Sequence, residues 1–286
     1  MSQEEFSARV KRNVIDNFDQ SISVYQAFEE KHGFFSALAL KLAETIGLRV
    51  GASVLDVGCG TGISARVLRD RFACSVLGVD LCSAMVAAGC SACNVPGICL
   101  VVGDGENLAP VVKGRHFDYV LYNASIFIFP DVSRTIDEAF ACLHSGGKIA
   151  FSFYPELVGE NEQDLFEVAF RRLGEPLPRF RVITDYTKVT AALTQRCGNI
   201  RHHRWERPLD IKFLQDFFSI PAQSASLFPG RSYEARQELV KRLFATLDDL
   251  TDKGRIVWRM AESLKKECTA VGDPHLPPGG RPVRHP

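Results

Sequence analysis

The chain has 286 residues, 46% of them apolar and 24% charged, with 34 Lys plus Arg balancing 34 Asp plus Glu. A chain of this size buries roughly 75% of its unfolded surface and needs neither disulfide nor metal to hold a core. Zero net charge gives no drive toward nucleic acid or an anionic surface, no apolar run approaches the roughly 20 residues that span a bilayer, and the opening MSQEEFSARVKR lacks the apolar centre of an export signal. Nine cysteines, an odd number, fit reduced thiols and a cytoplasmic location.

In chain order, residues 4 to 47 carry apolar positions at helical spacing, clearest in FFSALALKLAETI, and form an N-terminal helical cap over 1–47. From Ser53 onward, apolar runs of strand length alternate with helical stretches: strands at 53–57, 75–80, 98–102, 117–122 and 147–153, with helices near 62–72, 82–92 and 131–143. That alternation predicts a doubly wound, Rossmann-like α/β core over 48–154. Over 155–269 the reading is helix at 161–173 and 187–197, strand at 200–206, helices at 210–218 and 232–249, and a last strand at 255–260. The helical residues between the last two strands are expected to fold as a lid over the carboxyl edge of the sheet. The tail, 270–286, has five prolines and three glycines and is expected to be disordered.

The run Val54-Leu55-Asp56-Val57-Gly58-Cys59-Gly60-Thr61-Gly62 stands where a strand hands over to a helix, and its glycines allow a sharp turn and close approach of backbone to a ligand. The dinucleotide fingerprint would need a glycine at Ile63, which argues against NAD. The acids say more. Asp56 ends the first strand, Asp80 the second, and Asp104 and Glu106 follow the third, which predicts a carboxylate rim at the sheet edge. A pyrophosphate would meet like charge there, at about 4 kcal/mol per pair at 4 Å in a dielectric near 20. S-adenosylmethionine has no phosphate and carries a sulfonium and an ammonium, so the same rim attracts it. Asp80 is spaced to accept the ribose hydroxyls.

The order VLDVGCGTG, GVD, GDGENL, FDYVLYNASIFIFPD and LHSGGKIAFSF resembles the class I S-adenosylmethionine-dependent methyltransferases, in particular the small-molecule branch that includes ubiquinone and menaquinone C-methyltransferases, malonyl-carrier-protein O-methyltransferase and trans-aconitate methyltransferase. The resemblance covers residues 20–154 well and the rest by architecture. It implies that Asp56 reaches the methionine end, that Gly58, Cys59 and Gly60 line the cofactor's flank, and that Leu81 and Met85 flank the adenine. Asp104 would bond the adenine amino group with Gly105 and Glu106 beside it, Asn123 and Ala124 would bring backbone near the sulfonium, and Tyr25 would fold over the methionine moiety. No metal is implied. Family members that methylate exocyclic or amide nitrogens carry an Asn/Asp-Pro-Pro-aromatic run where this chain has Asn123-Ala124-Ser125-Ile126, so the resemblance implies a C-, O- or S-nucleophile or a small amine.

Several features bear on the acceptor. Tyr154, just past the fifth strand, with Ser125 and Phe127 past the fourth, is a candidate contact. Arg201-His202-His203-Arg204-Trp205-Glu206-Arg207 sends alternate residues to one side of a strand, where His203 could meet an anionic acceptor, the favoured reading being a solvated edge on which Trp205 packs. Arg171, Arg172, Arg179 and Arg181 are a docking patch for an acidic carrier or a solvated helix end. Phe213, Leu214, Phe217 and Phe218 either line an apolar acceptor cavity or pack the lid. Cys90 and Cys93 have no second pair for zinc and are expected to be reduced thiols. The reading favoured is a small-molecule methyltransferase; the alternatives are a methyltransferase of a carrier-bound acyl group or other macromolecule, and a cofactor-binding regulatory protein without turnover.

Overall fold

The structure, a computed structural model, describes residues 2–92, 95–178, 182–197, 199–250 and 253–265. The chain opens with α1 (Gln3–Asp19), α2 (Ile22–His32) and α3 (Phe34–Thr45), then alternates β1 (Ser53–Val57), α4 (Ile63–Phe72), β2 (Ser75–Asp80), α5 (Ser83–Ala92), β3 (Ile98–Val102), the short α6 (Ala109–Val112) and β4 (Phe117–Asn123). A 3-10 turn at Ile126–Ile128 leads to α7 (Val132–Ala141), β5 (Leu143–Ser152), β6 (Glu156–Val158), α8 (Leu165–Leu173), α9 (Tyr186–Cys197) and β7 (Ile200–Pro208). The lid helices α10 (Ile211–Phe218), α11 (Pro221–Leu227) and α12 (Tyr233–Leu250) precede β8 (Arg255–Leu264).

The strands form one sheet in the order β3-β2-β1-β4-β5-β8, parallel as far as β5. β8 runs antiparallel to β5 through Met260–Leu264 and to β6 through Arg255–Val257, while β7 follows its other side along its length and forms the sheet edge. Val54, Leu55, Val79, Val120 and Ile149 are almost wholly buried, as strands covered on both faces require. α3 and α4 pack on each other and on the parallel strands, and α7 with α9 packs against β5, β7 and β8. This doubly wound arrangement places the carboxyl ends of β1, β2, β3 and β4 at one edge, where a ligand crevice forms.

The lid is fastened by aromatic rings. Phe34 of α3 lies 5.1 Å from Trp258, 5.2 Å from Phe213 and 5.7 Å from Phe217, and stacks over Trp205 at 6.3 Å. Phe218 stacks on Phe244 of α12 at 5.4 Å. Phe213, Leu214, Phe217 and Phe218 are therefore packing residues and not the wall of an acceptor cavity. Asp210 caps α10, its carboxylate accepting the Phe213 N–H at 2.9 Å. Asp210→Ala is expected to lower stability by about 1 kcal/mol, read as a shift of the denaturation midpoint with unchanged slope, without loss of ligand affinity.

Besides the short helical turns at Ala109–Val112 and Ile126–Ile128, two elements were not foreseen. β6 has three residues, too few for an alternation, and α11 (PAQSASL) has no apolar stripe; its helical start is set by Pro221 at the first turn. β5 begins at Leu143, earlier than Gly147, because a register shift against β4 between Phe117 and Tyr119 absorbs the Gly-Gly turn. The expectation for the tail, 270–286, falls outside the described residues, as do Cys93, Arg179 and Arg181. Arg171 pairs with Glu167 at 2.7 Å on an exposed helix face, the solvated reading. No helix among the described residues is long and apolar enough to cross a membrane.

Candidate functional site

The turn from β1 into α4 is pinned to the end of β2. The N–H groups of Gly58 and Cys59 both donate to the Val79 carbonyl (2.8 and 3.1 Å), and the Gly60 N–H donates to Asp80 Oδ2 at 2.7 Å. Gly58 and Gly60 have φ of 75° and 53°, and a Cβ on Gly58 would stand 2.5 Å from that of Ser125, so glycine is required where the loop meets the end of β4. Asp80 also accepts the Cys82 N–H through Oδ1 at 2.9 Å, which aims its carboxylate across the crevice.

Above this edge lies a cleft of about 830 Å³, counting its open mouth. Gly58, Gly60, Asp80, Leu81 and Met85 form its floor and one side, Asp104, Gly105, Ile128, Phe129 and Pro130 another, and Asn123, Ala124 and Ser125 its end. Tyr25, Phe35 and Gln223, with Lys11, Val14 and Phe18 of α1, complete its lining. Gly105 holds the cleft open: a Cβ there would come within 2.5 Å of the Phe129 ring and 2.7 Å of Val57.

Asp56 sits beneath the floor, 1% exposed, with neither carboxylate oxygen hydrogen-bonded. Burial, reinforced by Asp80, pushes its pKa up to about 7. Burial also raises the Asp80 pKa, against the hydrogen bonds from Cys82 and Gly60. Two buried carboxylates that repel one another, one without a partner, constitute a demand for a cation. Tyr25 stacks on Phe35 at 4.4 Å; burial, then Glu29, Asp80 and Asp56, hold its phenol well above the ordinary value, so it stays protonated. Asn123 is fully committed: Nδ2 donates to the Phe35 carbonyl (3.3 Å) and Ser64 Oγ (3.0 Å), and Oδ1 accepts from Ser152 Oγ (2.9 Å). Ser152 Oγ in turn accepts the Ala124 N–H at 2.8 Å, holding that residue in the left-handed region at φ 56°.

Of the residues expected around a cofactor, Tyr25, Gly58, Gly60, Asp80, Leu81, Met85, Asp104, Gly105, Asn123 and Ala124 all wall this cleft. Asp56 and Cys59 lie just behind it, the Cys59 thiol under the loop against Gly78. Glu106 departs from expectation. It is 3% exposed, accepts the Asp131 N–H at 2.7 Å and pairs with Lys11 at 2.5 Å, so it ties two loops together instead of facing the adenine end. The rim is thus Asp80 and Asp104 in the cleft wall with Asp56 buried behind it, and Lys11 is shared between Asp104 and Glu106.

Both candidate catalytic residues fall elsewhere. The Tyr154 hydroxyl shares a 2.7 Å hydrogen bond with Ser226 Oγ, and its ring packs on Phe127 and Phe218, outside the cleft. His203 lies on the edge strand β7 with Nε2 3.5 Å from Glu262 Oε1, and no residue of β7 reaches the cleft. Edge-strand alternation gave the right faces but not the position of the strand, which only the order of the sheet decides. Sequence reasoning missed Phe35 and Gln223 and the α1 residues Lys11, Val14 and Phe18; the spacing of the last three along one helical face was the available signal.

Residues 55–151 match the methyltransferase domain family. Over 149 residues the chain is 31% identical to malonyl-[acyl-carrier protein] O-methyltransferase 1 of Ilyobacter polytropus, covering 50% of this chain and 53% of that one. It is 29% identical over 147 residues to the aklanonic acid methyltransferase DauC of a Streptomyces species, covering 50% and 65%. The chain thus spans about half to two thirds of the length of these relatives. Among solved structures, the YcgJ protein of Bacillus subtilis superposes with a TM-score of 0.54 over 81% of this chain and 99% of that one at 15% identity. Phosphoethanolamine N-methyltransferase 2 of Haemonchus contortus does so at 0.50 over 80% and 52%, at 19% identity. Strand order, glycine turn and the domain match over residues 55–151 agree in supporting a class I S-adenosylmethionine-dependent methyltransferase. The residues present fit that cofactor, since the glycine cradle leaves room for it and the unpartnered Asp56 oxygens, with Asp80, offer anionic groups to a cation and to hydroxyls.

Proposed function

We propose that this protein transfers a methyl group from S-adenosylmethionine to a small-molecule acceptor through a C-, O- or S-nucleophile. The observation that carries the reading is the buried Asp56 carboxylate, unpartnered beside Asp80 at a glycine-lined crevice. When bound, the cofactor would supply an electrophilic methyl carbon on a sulfonium, with S-adenosylhomocysteine as the leaving group. Asp80 accepts from the ribose hydroxyls, Leu81 and Met85 lie against the base, and Asp56 balances positive charge at the methionine end. Tyr25, Phe35 and Gln223 close that end and exclude water from the transfer.

Among the described residues that wall the cleft there is neither histidine nor cysteine, Tyr25 stays protonated, and the Ser125 hydroxyl donates to the Val57 carbonyl at 2.6 Å. The chain therefore holds and orients an acceptor that brings its own electron pair, and positioning alone supports effective molarities of about 10⁵–10⁸ M. Free thiols at the described cysteines accord with a cytoplasmic location. The test has two parts. Calorimetric titration with S-adenosylhomocysteine is expected to show one site per chain, and absence of binding rejects the reading. Incubation of the protein and isotopically labelled S-adenosylmethionine with fractionated metabolites is expected to label one small molecule. Label confined to protein or RNA would reject the small-molecule assignment, and binding without any labelled product would favour the regulatory alternative.

A further inference from the structure

α1 is tied down along its length, among others by Ser7 to Glu106 and by Asp19 to the Cys82 thiol. At its carboxyl end, Ser21 Oγ accepts the Ala222 N–H of α11 at 3.0 Å and donates to the Asn17 carbonyl at 2.7 Å. Near its middle Lys11 forms ion pairs, its ammonium lying 2.7 Å from Asp104 Oδ2 and 2.5 Å from Glu106 Oε2. Asp104 Oδ1 accepts the Glu106 N–H at 2.9 Å, and Glu106 Oε1 accepts the Asp131 N–H at 2.7 Å. One cation thereby joins three segments: the helix, the loop after β3, and the loop that brings Phe129 and Pro130 to the cleft. Burial opposes the charge on Lys11, but the hydrogen bonds to Asp104 and Glu106 outweigh it and its pKa is raised. Lys11, Val14 and Phe18 recur on one face of α1 and all reach the cleft, so the helix forms the outer wall of the end that Asp104 and Gly105 line.

We propose that Lys11 is a cofactor-positioning residue, which fixes the Asp104 carboxylate toward the adenine amino group and latches α1 over the nucleoside end of the cleft. The proposal rests on the cofactor reading above. Lys11 uses one oxygen of Asp104 and the Glu106 N–H uses the other, which sets the plane of the carboxylate and leaves lone pairs for an amino donor. Without the ammonium, Asp104 loses its orientation and Glu106 is left as a buried anion.

The test compares S-adenosylhomocysteine with S-inosylhomocysteine, in which an oxo group replaces the adenine amino group. The parent protein is expected to prefer the amino ligand. In Lys11→Met, affinity for S-adenosylhomocysteine falls about tenfold and the preference narrows by a similar factor, while Lys11→Arg keeps the preference within about threefold. Should Lys11→Met fail to fold, Lys11→Met/Glu106→Gln removes the ammonium together with the stranded buried charge and is measured in its place. Loss of affinity with an unchanged amino-to-oxo preference assigns Lys11 a merely structural role and overturns the proposal. Tighter binding by Lys11→Met also overturns it, because Lys11 would then compete with the ligand. A parent protein that binds neither compound refutes the cofactor reading itself, a result distinct from either.

Discussion

Asp80→Ala is expected to weaken binding of S-adenosylhomocysteine by about 10²–10⁴-fold, since two hydrogen bonds to a charged group contribute about 1.5–3 kcal/mol each and 1.4 kcal/mol is a factor of ten. The carboxylate has two tasks in the structure. It faces the cleft, and it accepts the N–H groups of Gly60 and Cys82, so it shapes the glycine turn as well as the ribose site. Asp80→Asn separates them: the amide oxygen can still accept a backbone N–H, but one acceptor oxygen is lost, and affinity is expected to lie between that of Ala and the parent. Calorimetric titration gives the affinities, and thermal unfolding of the apo proteins reports how much of the Ala effect comes from the loop. An Asp80→Ala dissociation constant within threefold of the parent value, in a folded protein, would falsify the ribose assignment.

The parts of this molecule that were legible in the sequence are those whose cause is local. Val54, Leu55 and Val57 read as a buried strand because parallel strands are covered on both faces, and Gly58 and Gly60 read as a tight turn because glycine adopts left-handed dihedral angles at little cost. Asp80 followed from its place at the end of a strand next to the first. What escaped depends on long-range juxtaposition. Glu106 looked like a rim acid because it follows Asp104, yet its partners are Lys11 and Asp131, far away in the chain. His203 was placed on the correct strand, and of its two readings the order of the sheet, with β7 at the edge, leaves the solvated edge and not the acceptor contact. Gln223 stands in a helix without an apolar stripe, so nothing in its surroundings marked it as cleft-facing. The cleft walls at the sheet edge are written in short segments, whereas the walls supplied by α1, α2, α3 and α11 are assembled from helices that only the tertiary fold brings together.

Ligand affinity is expected to rise with pH by about tenfold per unit between about pH 5 and 7 and to level off above, because Asp56 titrates near 7 in the free protein. A cation bound beside it favours the ionised carboxylate, so binding below that pH must release a proton. Repeating the titration in buffers of different ionisation enthalpy counts that proton directly. The sign for folding is opposite. A carboxyl whose folded pKa lies above its unfolded value of about 4 contributes stability that is complete below the unfolded value and lost as pH rises through 7. The free protein should therefore lose stability between about pH 4 and 7 and level off above, and saturating S-adenosylhomocysteine should restore it, by compensating the charge and by mass action. Asp56→Asn keeps the shape of the side chain but cannot ionise: it is expected to abolish both slopes and to bind the ligand at pH 8 at least about tenfold more weakly than the parent, since one charge-assisted contact is lost. Affinity that is flat from pH 5 to 8 with no proton released would mean that Asp56 does not meet the cation, and that its unpartnered oxygens have another cause.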